Sequence, residues 1–178
     1  MENKNLIQKL NITLTDIFSK IADDKDVFAF GIFTDQDVTS ILIAYNTYSN
    51  FSNQLKDWFL EDQIVVSHFR WSMAEWYEEL GEENSKLNEL NNEFYSLSNK
   101  LSEIRPDTYK DEILDMLHKV LMEMKKSGVF DSMKKNFIIY LEQADSYVDD
   151  KMKKRIQDLN TEKTFKEFVC DLEYKINR

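Results

Sequence analysis

The stretch Val27-Phe28-Ala29-Phe30-Gly31-Ile32-Phe33-Thr34-Asp35-Gln36-Asp37 sets Phe28, Phe30 and Ile32 on one side of an extended chain and Ala29, Gly31 and Phe33 on the other. Such alternation with so few polar residues predicts a strand buried on at least one face, and the small residues Ala29 and Gly31 leave room for a helix to approach the second face. Asp35-Gln36-Asp37 reads as a turn, and the β-branched run Val38 to Tyr45 as a second strand. A loop this short permits only an antiparallel hairpin. The spacing Asp35, Asp37, Thr39 is that of a calcium loop's opening, but the sixth and twelfth positions hold Ser40 and Asn46 where glycine and glutamate are needed. Calcium is therefore excluded there.

Helices flank the hairpin. Leu6, Leu10, Leu14, Ile17, Phe18 and Ile21 recur at spacings of three and four, which predicts an N-terminal helix covering the sheet. Tyr48, Phe51, Leu55, Trp58 and Phe59 predict a second, packing through aromatics. Ile64 to Phe69 reads as a short third strand, with His68 at its end as a hydrogen-bonded structural residue. The junction Arg70-Trp71-Ser72 with Glu75-Trp76 follows. Ser72 and Glu75 have the spacing of a capping box, which predicts a helix opening at Ser72 with Trp71 and Trp76 clamping it to the sheet.

Beyond an acidic turn around Gly81, the residues Leu87, Leu90, Phe94, Leu97, Leu101 and Ile104 form a seam about three heptads long. Pro106 stops that helix, and the next carries Ile113, Leu117, Val120, Leu121 and Met124 before ending at Gly128. A helical hairpin over about residues 82–127 is the expected insertion, packed internally rather than against a second copy. Asn136 to Glu142 reads as a fourth, central strand because residues 137–141 lack a charged side chain. Lys151 to Arg155 reads as the solvated face of a helix, and Thr161 or Thr164 as the cap of the last helix. The expected architecture is a single α+β domain over residues 1–178, with a mainly antiparallel sheet of about four strands flanked by helices.

Composition supports folding and narrows function. The chain has 178 residues, 42% of them hydrophobic, with 12 Phe, 8 Tyr and 3 Trp, which suits one domain with a substantial core. The lone Cys170 allows no internal disulfide and, within the stripe Phe165, Phe168, Val169, Leu172, is expected to be a buried thiol. No window approaches a membrane span and the N-terminus is unlike a signal peptide, so a cytoplasmic protein is expected. Net charge is −10, and residues 1–100 carry 8 basic against 17 acidic side chains. That excess disfavours nucleic acid and favours a basic protein partner. Glycines are too few and scattered for a phosphate loop, and His68, His118 and Cys170 lack zinc-ligand spacing. No cofactor, metal or catalytic residue is assigned.

Taken in order, Phe28 to Asp37, then Arg70-Trp71-Ser72 with Glu75 and Trp76, then Gly128-Val129-Phe130, the strand to Leu141 with Asp145-Ser146, and Leu159-Asn160 resemble the landmarks of a bacterial family, domain of unknown function 4303. Met73 stands where typical members have a proline. The resemblance implies a cytoplasmic bacterial protein of the kind found as immunity partners of polymorphic toxins. Together with the acid excess it leads to an expected non-enzymatic binding protein, docking a basic toxin domain through Asp35, Asp37, Glu78, Glu79, Glu82 and Glu83. The alternatives are a hydrolase with a carboxylate pair near the junction, and a homodimer through the seam of residues 87–104; the expected state in solution is a monomer or homodimer.

Overall fold

The computed structural model describes residues 2–57, 63–76, 78–79, 85–134 and 136–176. Strands β1 (Val27–Thr34) and β2 (Ile41–Thr47) form the expected antiparallel hairpin, with Thr34 opposite Ile41 and Phe30 opposite Tyr45. The two-residue β3 (Glu78–Glu79) adds antiparallel to β2, and β4 (Ile138–Gln143) adds parallel to β1. Among the described residues the order is β3-β2-β1-β4, so β1 is interior and β4 is an edge. This corrects the expected central position of the fourth strand. Its apolar run reflects burial on both faces, a condition that an edge strand under two helical layers also meets.

The sheet divides two cores. On one face α1 (Glu2–Ser19) packs through Leu10, Leu14 and Phe18 onto Phe30, Ile32, Ile43 and Leu141. The other face carries α2 (Tyr48–Asp57), α3 (Gln63–Trp71) and a 3-10 turn at Met73–Glu75. The long hairpin of α4 (Ser85–Ile104) and α5 (Tyr109–Lys126) returns to the first face, and α6 (Asp150–Leu159) and α7 (Glu162–Ile176) to the second. Phe18 anchors the first core with edge-on contacts to Phe30 at 5.2 Å and Phe130 at 4.8 Å between ring centroids. A register shift between Val27 and Ala29 turns Phe28 to the second face, against the simple alternation.

The seam of α4 is consumed inside the chain: Leu87, Leu90 and Phe94 are buried in the first core, while Ile104 is 63% exposed. Asn91 ties α4 to the sheet, accepting from the Ile41 amide at 2.8 Å and donating to the Ile41 carbonyl at 3.1 Å. Those two groups lie beyond the reach of the short β3, so the asparagine stands in for a missing strand. Asn160 does the same at the opposite edge, accepting from Ile139 N at 2.9 Å and donating to Ile139 O at 2.7 Å.

Two expectations around the junction are overturned. Ile64 to Phe69 is part of α3, not a strand; a short apolar run is compatible with either, and packing against α7 decides it. The helix ends at Trp71 instead of beginning at Ser72. Ser72 donates its amide to the His68 carbonyl, has extended geometry (φ −98°, ψ 113°), and forms no side-chain cap. Glu75 pairs with His68 Nε2 at 3.2 Å.

Cys170 is exposed, which corrects the buried reading. The inward face of α7 runs through Thr164, Phe168 and Asp171, and Cys170, two residues on from Phe168, is turned about 200° from it. The folded protein is therefore expected to take up one equivalent of a chromogenic thiol reagent without denaturant; a thiol that reacts only after unfolding contradicts this placement. Arg155 also departs from the solvated face expected of its basic run. It is buried and bridges to Asp115 at 2.8 Å, joining α6 to α5. Thr161 caps α7 as expected, its hydroxyl accepting from Thr164 N at 3.2 Å.

Candidate functional site

The junction lies on the second face, where β4 sends Ile138, Tyr140 and Glu142 inward with the period of a strand. Gly31 makes the close approach possible. A Cβ there would meet the Tyr140 carbonyl at 2.7 Å and the Met73 sulfur at 2.9 Å, so only a glycine lets the 3-10 turn seat on β1. The Met73 amide donates to Glu142 Oε2 at 2.6 Å and fixes the turn to the end of β4. Trp71 Nε1 donates to the buried Asp171 at 2.8 Å, Arg70 reaches the same carboxylate oxygen at 3.3 Å, and Trp76 Nε1 donates to the Arg70 carbonyl at 3.2 Å. These bonds clamp α3 and the turn to α7.

A cavity of about 190 Å³ remains between these elements. Its walls include the rings of Trp71, Tyr140 and Phe168, whose centroids lie 5.0 to 6.4 Å apart. Its polar lining comprises Ser67, His68, Ser72, Glu142 and Ser146. Burial pushes the Tyr140 hydroxyl well above its ordinary proton affinity, and the neighbouring Glu142 carboxylate adds to that shift. The hydroxyl is thus a neutral group throughout the physiological range.

Among the described residues the lining brings together neither a carboxylate pair nor a serine–histidine contact. Among the described residues Glu142 is the single carboxylate of the lining, where an acid–base hydrolase uses a pair. His68 Nε2 pairs with Glu75 and not with a serine hydroxyl, the contact that a Ser–His nucleophile would need. Among the described residues no group of three or more His, Cys, Asp or Glu gathers as for a metal ion.

The acids expected from the sequence are scattered. Asp35 serves its own loop, accepting from Thr39 N at 2.8 Å, Thr39 Oγ1 at 2.7 Å and Ser40 Oγ at 2.6 Å. Desolvation raises its carboxyl pKa, but these donors together outweigh it and hold the group below the ordinary 3.8. The resulting stability is present above the ordinary carboxylate pKa and is lost as pH falls through the lowered native value. Asp35→Ala is expected to lower the unfolding free energy measured in urea by about 1–2 kcal/mol at pH 7, and by less at pH 3; equal losses at both would show that the charge is immaterial. Asp37 is exposed and pairs with Lys110 at 3.1 Å. Glu78 and Glu79 lie at the far edge of the sheet as β3, paired to Tyr45 and Ala44. Glu82 and Glu83 lie outside the described residues, as do Trp58 and Phe59.

A different acidic group emerges on the β4–α6 connection. Asp145, Asp149 and Asp150 are exposed there, and Tyr147 between them is 94% exposed. The Asp35–Asp37 turn is adjacent: Gln143 Nε2 donates to the Gln36 carbonyl at 2.7 Å, and Ala144 N to the Thr34 carbonyl at 2.8 Å. Sequence reading missed Tyr140, Glu142 and Tyr147. The available signal was a tyrosine and a glutamate two apart in an otherwise apolar strand, which places both on one face.

The fold and site define a single-domain α+β protein with a mixed sheet between two helical layers. By sequence it belongs to the family of the domain of unknown function DUF4303, whose model matches residues 6–161. That span takes in every landmark quoted above. No curated protein and no solved structure matches the chain. Among the described residues no helix is long and apolar enough to cross a membrane.

Proposed function

We propose that the protein is a non-enzymatic bacterial binding protein, acting in the cytoplasm as an immunity protein that docks on and neutralises a basic toxin domain. The observation that carries this reading is Tyr147, 94% exposed and flanked by Asp145, Asp149 and Asp150 beside Asp37. Tyrosine is enriched among the anchors of protein interfaces because its rigid ring buries much area at little entropic cost. Surrounding acids steer a basic partner and reject an acidic one. The net charge of −10 adds a long-range attraction of the same sign. A single-carboxylate cavity supports docking over hydrolysis, and a seam buried inside the chain leaves little of it for a homodimer.

Co-expression with the product of the adjacent gene tests the proposal. Growth is expected to be restored by the wild-type chain, and Tyr147→Ala is expected to weaken the purified complex by about tenfold or more. A harmless neighbour, or toxicity that persists with the wild-type chain present, sinks the immunity reading.

A further inference from the structure

We infer that the interface between α5 and α6 is a proton-sensitive clasp: uptake of a proton by the His118 ring loosens α6 and, with it, the loop that carries Tyr147. The effect on docking rests on the reading above, whereas the clasp is a property of the isolated chain.

Asp111, Asp115, His118 and Lys125 recur at helical spacings along one face of α5, and Lys151, Arg155 and Asp158 do the same on α6. The two rows meet as rungs. Asp111 pairs with Lys151 and, at 3.5 Å, with Arg155; Asp115 takes Arg155 at 2.8 Å; Lys125 Nζ donates to the Asp158 carbonyl at 2.9 Å. His118 falls between Asp115 and Lys125 in that row, and its Nε2 is buried with no hydrogen-bond partner among the described residues.

A neutral imidazole tolerates this arrangement better than a charged one. Protonation turns both ring nitrogens into donors, so Nε2 becomes a charged N–H enclosed without an acceptor, the costly case for a buried group. The charged groups around the ring are Asp115 on its own helix and Lys154, Arg155 and Asp158 on α6. Both acids are already engaged, Asp115 with Arg155 and Asp158 with Lys154 at 2.6 Å. A charged ring is satisfied only by drawing one of these carboxylates from its partner, and Arg155 and Lys154 oppose it as like charges. Desolvation keeps the ring's proton affinity below the ordinary 6.5, against the pull of Asp158 and Asp115. His118 is thus neutral and the clasp closed at pH 7. Because the folded chain holds this proton less tightly than the unfolded one, the contribution to stability is fully present above pH 6.5 and is lost as pH falls from there through the lowered native value.

Helix α6 carries the change to the docking loop. Its N-cap Asp149 accepts from Met152 N at 2.7 Å, and Tyr147 lies two residues before that cap. Arg155, 8% exposed, is the side chain that joins this helix to α5 through Asp115, so a contest for Asp115 acts on the attachment itself.

NMR of the full-length protein between pH 5 and pH 8 tests the clasp, with His118→Leu and His118→Gln as variants that cannot titrate at this position. The His118 ring is expected to titrate with a midpoint below 6.5. The Arg155 Nε–H signal and the backbone amides of Tyr147 and Val148 are expected to move with that midpoint in wild type and in neither variant. In urea, the ratio of unfolding constants, wild type over His118→Gln, is expected to rise at least about threefold from pH 7.5 to pH 5. A ring midpoint at or above 6.5, a constant ratio, or loop amides that respond to acid equally in wild type and variants overturns the clasp. These readouts need no partner and the immunity reading is tested by co-expression, so the two can fail separately.

Discussion

Asn160→Ala is expected to lower stability by about 3 kcal/mol, roughly 10 °C in melting temperature for a chain of this length. Asn160 is 8% exposed, and its side-chain amide bonds three backbone groups: Ile139 N at 2.9 Å, Ile139 O at 2.7 Å and Ile156 O at 2.9 Å. Ile156 O retains the Asn160 backbone amide at 3.1 Å, so its loss is small. The two groups of Ile139 have no such reserve. They sit at the outer edge of β4, and truncation leaves a buried donor and a buried acceptor unpaired at about 1–3 kcal/mol each. An open edge of Ile138 to Leu141 is also a template for pairing with another chain. The variant is therefore expected to aggregate on heating at concentrations where wild type refolds. Asn160→Asp cannot donate to Ile139 O and is expected to be no better. A melting temperature within about 2 °C of wild type for the alanine variant would show that the edge is satisfied by other means.

Gly31→Val is expected to cost a similar amount, about 3 kcal/mol, for the opposite reason. Here atoms are added where none fit. Gly31 has an ordinary strand conformation, so its requirement is for space and not for a left-handed backbone. Its neighbours at 2.7 and 2.9 Å are a backbone carbonyl of the paired strand and the Met73 side chain. The thioether can move; the Tyr140 carbonyl is held in the β1–β4 ladder. Gly31→Ala combined with Met73→Ala is accordingly expected to be less destabilised than the sum of the single variants, by about 1 kcal/mol, and not restored to wild type. Strict additivity in urea denaturation would place the strain elsewhere.

Much of the fold was legible in local patterns. The span of β1 was read to the residue, and the N-terminal helix and the α4–α5 hairpin follow from periods of three and four that survive any tertiary arrangement. Gly31 was legible too, as an absent side chain where a second layer must come close. The junction was misread because Ser72 and Glu75 have a capping-box spacing, yet the chain reaches Ser72 already helical, and the preceding run Ile64 to Phe69 has no length or flanking signal that separates strand from helix. Cys170 was misplaced because a stripe with residues at 165, 168, 169 and 172 spans a wide arc, and the structure puts its buried centre at Phe168 and Asp171.

Which segments are amphipathic, which strands are apolar on both sides, the sign of the charge and the family are all legible in the order of the amino acids, because each is written in local patterns or in composition. Long-range packing alone puts β4 at the edge parallel to β1, brings Asn91 and Asn160 to complete the sheet, and gathers Glu142, Ser72, Ser146 and three aromatic rings around one cavity. Those outcomes depend on which of several equally apolar surfaces meet. That choice is made by packing between residues tens of positions apart, and no local period encodes it.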